Sequence, residues 1–237
     1  MADNRIITAL DVHSLEDMKK MVIILGDSVT FYKVGMELFY SVGPDTIRCL
    51  RDMGKKVFLD LKVHDIPNTA AQAVRALIRL GADLMTLHGS GGALMLQSAA
   101  EAARNESARL GMERPRLLAV TVLTSIDEAA WAALGHGEPV GTSVERLARL
   151  AKEAGMDGVV ASPREAAAIR TACGKDFLIV TPGIRPSFAQ KNDQKRVATP
   201  AEALRDGATQ LVIGRPITQA ADPKAAAERI AAEIKEV

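Results

Sequence analysis

The feature that most constrains this chain is an alternation running from one end to the other. Short apolar runs of β character recur at Ile6–Leu10, Phe31–Val34, Val57–Leu61, Leu84–His88, Leu117–Leu123, Gly158–Ala161, Leu178–Thr181 and Gln210–Ile213. Between them the period becomes helical. Ala70, Ala73, Val74, Leu77 and Ile78 form one apolar stripe, and Leu96, Ala99, Ala100 and Ala103 repeat it in the next connection. Gly81, Gly111 and Gly155 mark helix ends shortly before the next strand. Eight βα units in 237 residues predict a single (β/α)8 barrel spanning 1–237. A doubly wound open sheet is the rival, because it too is a string of βα units.

Composition narrows what such a chain binds. Thirty basic and 29 acidic residues leave a formal charge of +1, so no general attraction draws it to nucleic acid or to an anionic membrane. Aromatic residues make up only 3%, too few for a base-stacking surface. No apolar stretch approaches a membrane span, and no secretory h-region precedes the first strand. Cys49 and Cys173 are isolated. A reducing cytoplasm is the expected setting.

At each handover from strand to loop stands a polar residue: Asp11, Lys33, Asp60 with Lys62, His88, Thr124, Ser162, Arg185 and Arg215. Barrels and open sheets both bind ligands at this end of their strands. The densest signal is Asp60-Leu61-Lys62-Val63-His64-Asp65. Strand alternation predicts that Asp60 and Lys62 point the same way. Asp65 follows, just before Ile66-Pro67-Asn68-Thr69 opens a helix. Burying such charges costs several kcal/mol per ion unless each is paired. An array in which Lys33, Asp60, Lys62 and Asp65 alternate in sign keeps every member ionised. The plain alternative is an ion network that merely holds a strand end.

From Gly183 to Thr199 no helical or strand period is visible. So long a structureless connection predicts a lid or binding loop, with a surface insertion as the alternative. The loops after strands 7 and 8 form the usual phosphate site of such barrels, which makes Gln194, Gly214 and Arg215 candidate phosphate contacts. The turn His88-Gly89-Ser90-Gly91-Gly92 could cradle an anion, but matches no nucleotide fingerprint. The four histidines are scattered without HxxxH or HExxH spacing, no Cys pair is present, and no metal site is predicted.

Taken in order, Asp11, Lys33, the Asp60-x-Lys62-x-x-Asp65 motif with Ile66-Pro67-Asn68-Thr69, Thr181-Pro182-Gly183-Ile184-Arg185-Pro186, Asp193-Gln194 and Gly214-Arg215 resemble the orotidine 5′-monophosphate decarboxylases. The DxKxxD motif alone is shared with sugar-phosphate relatives; the full set is specific. The resemblance implies decarboxylation of orotidylate to UMP and CO2 without metal or cofactor, in a homodimeric barrel. It implies that Lys33, Asp60 and Lys62 act from one subunit while Asp65 and Thr69 reach the partner's site. Asp11 and Lys33 would hold ribose, Thr124 the pyrimidine edge, and Gln194 with Arg215 the phosphate. Pro182 would line the pocket, Arg185 and Gly214 would contact substrate, and His88 would neighbour the base. Two other readings stand beside it. One is a Mg²⁺-dependent sugar-phosphate enzyme, whose metal-binding glutamate is replaced here by Lys33. The other is a silent nucleotide-binding barrel.

Overall fold

The computed structural model describes residues 2–186, 188, 198–235 and 237. Eight parallel strands pair in sequence order and close on themselves: β1 (Ile6–Leu10), β2 (Phe31–Gly35), β3 (Lys56–Val63), β4 (Leu84–His88), β5 (Arg116–Val120), β6 (Gly158–Val160), β7 (Leu178–Thr181) and β8 (Gln210–Ile213). Closure comes where β1 pairs with β8, at Ile6 with Leu211 and Thr8 with Ile213. The closed ring rules out the open sheet.

Alternation along the strands divides the apolar residues into two sets. Ile7, Ala9, Phe31, Phe58, Leu84, Leu118, Val180 and Val212 fill the inside of the barrel. A larger set, including Leu10, Tyr32, Val57, Leu59, Leu87 and Ile213, packs outward against the helices. The two helical stripes behave as read. Ala70, Val74 and Ile78 of the helix Pro67–Ile78 are buried, as are Leu96, Ala99, Ala100 and Ala103 of the helix Gly92–Leu110. Gly111 takes the left-handed conformation that ends the second of these helices, at φ 62°.

The N-terminal rim is built for stability. Asp157 accepts from the Leu117 amide at 2.8 Å and from Nη1 and Nη2 of Arg114. Asp83 likewise accepts the Val57 amide at 2.7 Å, tying one strand start to the next.

Four strands differ in extent from the sequence reading: β2 runs one residue further, to Gly35, β6 stops one residue earlier, at Val160, and β3 and β5 differ at both ends. β5 ends at Val120 and not at Leu123; Val122 and Leu123 lie beyond the ladder and line a cavity at the barrel mouth. β3 runs on to Val63, through an irregularity that shapes the site.

Candidate active site

On β2 and β3 the inward position beyond the apolar layer carries charge. Phe31 and Phe58 belong to the interior cluster, and two residues further along come Lys33 and Asp60. Neighbouring strands bring these together: Lys33 Nζ lies 3.8 Å from Asp60 Oδ2 and 3.3 Å from Asp11 Oδ1. Asp60 Oδ2 in turn accepts from Lys62 Nζ at 2.9 Å. The chain of charges therefore runs Asp11–Lys33–Asp60–Lys62, alternating in sign. The Lys33 and Asp60 side chains are only 12% and 13% exposed, which deepens their dependence on one another. Gly35 gives the array room, since a Cβ there would stand 2.8 Å from Lys33 Nζ.

Simple alternation does not explain how Lys62 meets Asp60. The β3–β4 register passes from Leu59–Met85 directly to Val63–Leu87, so Asp60, Leu61 and Lys62 all stand opposite the single residue Thr86. This bulge carries Lys62 at φ 51°, the one non-glycine residue with positive φ among the described residues. Such a left-handed conformation costs on the order of 1–3 kcal/mol and persists only when its surroundings hold it. Thr86 does so, accepting the Lys62 amide at 2.9 Å and donating to Asp60 Oδ1 at 2.9 Å. The sequence reading missed Thr86 because it searched strand ends; its one signal was a hydroxyl inside the apolar run Leu84–Leu87.

Asp65 does not join the array within its own chain. It is exposed, and its Oδ1 accepts the amide of Ile66 at 2.7 Å. Among the described residues it forms no ion pair, so only Asp60 flanks Lys62 from the same chain. Thr69 is exposed beside it on the first turn of its helix, and Ile66 between them is 67% exposed.

A cavity of about 190 Å³ opens against the array. Phe58, Val120, Val160 and Val212 give it an apolar floor; Lys33, Asp60 and Lys62 form one wall, and Leu123, Thr124 and Pro182 another. A larger depression of about 750 Å³ lies on the outer helices around Thr142–Glu153 and Arg164–Ile169, away from the strand ends.

The other candidate residues are placed as follows. Gly214 packs beside Ala9 and Asp11, where a Cβ would come within 3.4 Å of Ala9 Cβ, and Arg215 begins the short turn Arg215–Thr218. Arg185 is buried, its backbone amide bonded to Ala198 O at 2.9 Å and its Nη1 to Ile184 O at 2.9 Å. Gln194, with most of the 183–199 connection, lies outside the described residues. His88 stacks on His64 with ring centroids 5.1 Å apart, and its Nδ1 lies 2.7 Å from Ser90 Oγ. Burial, His64 and the Lys62 ammonium all hold His88 below the ordinary imidazole range.

Two of the glycines after His88, Gly89 and Gly91, have packing roles. A Cβ on Gly89 would stand 2.8 Å from Val120 O, and one on Gly91 would run into Met95. Ser162 is fully buried and caps the turn Pro163–Glu165. Among the described residues, no cluster of His, Cys, Asp and Glu is arranged to hold a metal.

A closed βα barrel with an alternating charge array at the C-terminal ends of its strands defines an enzyme of the (β/α)8-barrel class. The chain belongs to the orotidine 5′-phosphate decarboxylase/HUMPS family, whose model matches residues 4–230. The orotidine 5′-phosphate decarboxylase of Moorella thermoacetica is 55% identical over 237 residues, covering 100% of this chain and 94% of that one. Its counterpart from Trichlorobacter lovleyi is 56% identical over 233 residues, covering 98% and 96% of the two chains. The crystal structure of the Lactobacillus acidophilus orotidine 5′-phosphate decarboxylase superposes with a TM-score of 0.87 at 44% identity, covering 98% of this chain and all of that one. The chain is thus a carboxy-lyase of pyrimidine biosynthesis on a TIM barrel.

Proposed function

We propose that this chain converts orotidine 5′-monophosphate to UMP and CO2 using its own side chains alone. The observation that carries the reading is the contact of Lys62 Nζ with Asp60 Oδ2 at 2.9 Å, beside an apolar-floored cavity. At about 190 Å³ the cavity is below the ~300 Å³ typical of whole-ligand pockets, so it suits the ring while ribose and phosphate extend over the rim. Asp11 and Lys33 sit where ribose hydroxyls would lie, and Thr124 and Pro182 where the base would be enclosed. Gly214 and Arg215 follow β8, the position from which such barrels grip phosphate. Gln194 and Arg185 complete the proposed substrate contacts.

The chemistry follows from where charge moves. The bond between C6 and the carboxyl carbon breaks, its electron pair stays on C6, and neutral CO2 departs. Lys62 Nζ then gives its proton to C6, yielding UMP, and is reprotonated from solvent. No ring position delocalises the C6 pair well, so a fixed ammonium must stabilise it as it forms. Asp60 holds that ammonium at 2.9 Å and lies near the substrate carboxylate, whose repulsion vanishes as CO2 leaves. Two unit charges 4 Å apart interact by about 4 kcal/mol at an effective dielectric of 20, enough to contribute without dominating.

Asp65 and Thr69 enter the reading as groups lent to a second subunit of a homodimer. Their exposure at the rim, and the lack of an ion pair between Asp65 and Lys62 in one chain, support that exchange. The cytoplasm is the proposed setting; among the described residues no helix is long and apolar enough to cross a membrane.

The reading is tested with purified protein, orotidylate and excess chelator, following loss of orotate absorbance and formation of UMP. Turnover that survives chelation is the expected result. Turnover that stops on chelation and returns with Mg²⁺ would favour the sugar-phosphate branch. UMP binding with no turnover under any condition would favour a silent barrel.

A further inference from the structure

We infer that Thr86 is a positioning residue for the Asp60–Lys62 pair, an inference that rests on the decarboxylase reading. The β3 bulge sets three residues against one, which removes Lys62 N–H from regular pairing with β4. A part-buried amide that leaves the ladder needs another acceptor, and here it is Thr86 Oγ1 at 2.9 Å. A hydroxyl has one proton and two lone pairs. With the amide donating to the oxygen, the hydroxyl proton is left for Asp60 Oδ1, also at 2.9 Å. An ionised carboxylate has no proton to give, so the direction of both bonds is fixed.

Two consequences follow. The first is orientation: with Oδ1 held by Thr86, Asp60 presents Oδ2 to both ammonium groups, at 2.9 Å from Lys62 and 3.8 Å from Lys33. The second is conformation, because the same hydroxyl ties down the left-handed backbone of Lys62. Thr86 is 1% exposed on a strand whose inward neighbour Leu84 belongs to the barrel core. A residue that only filled space there would be as well served by valine, which matches threonine in shape. What threonine adds over valine here is the two bonds its hydroxyl makes.

The test compares Thr86→Val, which keeps the shape, with Thr86→Ser, which keeps the hydroxyl. Supporting groups of this kind change activity by about 10- to 100-fold when removed. In Thr86→Val, kcat on orotidylate should fall by about that factor while KM stays within about threefold, since phosphate and ribose contacts are untouched. Thr86→Ser should recover most of the loss. Hydrogen exchange at the Lys62 amide should be about tenfold faster or more in Thr86→Val, and near wild type in Thr86→Ser.

An unchanged kcat in Thr86→Val, a loss confined to KM, or an equal loss in both variants would each overturn the inference and leave the decarboxylase reading standing. If wild-type protein does not turn over orotidylate, the decarboxylase reading falls first. Amide exchange then decides the role of Thr86, and an unaltered Lys62 amide rejects it. Should Thr86→Val not fold, Thr86→Ala set against Thr86→Ser makes the same comparison.

Discussion

Replacing Lys62 with alanine should abolish turnover while leaving the protein folded and able to bind UMP. The fold should survive because Asp60 keeps the Thr86 hydroxyl at 2.9 Å and the Lys33 ammonium at 3.8 Å. Alanine also meets the left-handed backbone at no greater cost than lysine, both having a Cβ. The Lys62 side chain is 25% exposed, so little packing is lost. A thermal shift of no more than about 4 °C is expected for a loss near 1 kcal/mol in a chain of this size.

Catalysis is a different matter. An ammonium about 3.3 Å from a carbon bearing full negative charge is attracted by about 5 kcal/mol at an effective dielectric of 20. Part of that is already present in the ground state, where the ammonium also faces the substrate carboxylate, so only the difference counts. Removal of one preorganised electrostatic donor costs about 10²- to 10³-fold, and loss of a positioned proton donor about 10²- to 10⁴-fold. Because one group supplies both, kcat should fall by about 10⁴-fold or more. The assay is orotidylate absorbance in single- and multiple-turnover modes, with calorimetric titration of UMP on the same preparation. A Lys62→Ala protein that retains kcat within tenfold of wild type would refute the reasoning.

Two further outcomes follow from the same geometry. Arg215→Ala should weaken binding of UMP by about 10- to 100-fold, the worth of one charge-assisted bond, with little effect on uridine; equal losses on both, measured by titration, would remove Arg215 from the phosphate site. Asp157→Ala should destabilise the barrel by about 2–4 kcal/mol, since it frees the Leu117 amide and strands Arg114. Burial pushes the Asp157 carboxyl up, but Arg114, the Leu117 amide and Arg116 outweigh it and hold the group below its ordinary value of 3.8. Its contribution is therefore complete above about pH 4 and lost as pH falls through the folded-state value. Thermal unfolding should show a wild-type advantage over Asp157→Ala that is full at neutral pH and shrinks in acid; an advantage that grows in acid would contradict this.

The barrel was legible because a parallel strand covered on both faces is written as a short unbroken apolar run, and helices between them keep their own period. Leu117–Leu123 misled for the same reason. Its last apolar residues serve a cavity and not a ladder, and hydrophobicity alone does not separate the two. Lys33, Asp60 and Lys62 stood out as charges inside apolar strands. The bulge that joins them left no mark, because nothing in the identity of a lysine announces a positive φ. Thr86 was hidden by its modest chemistry, and nothing in the DxKxxD spacing told that Asp65 would stand apart from the array, its Oδ1 accepting the Ile66 amide.

The central proposal is a lysine flanked by two carboxylates contributed by two copies of the chain. Mixing inactive Lys62→Ala with inactive Asp65→Asn, after dissociation and reassociation, tests this directly. In a two-fold symmetric dimer, random pairing gives half of the population as hybrids, each with one intact site, so about a quarter of wild-type activity should return. If Asp65 serves the lysine of its own chain, no hybrid contains an intact site, and the mixture should stay as inactive as its parts.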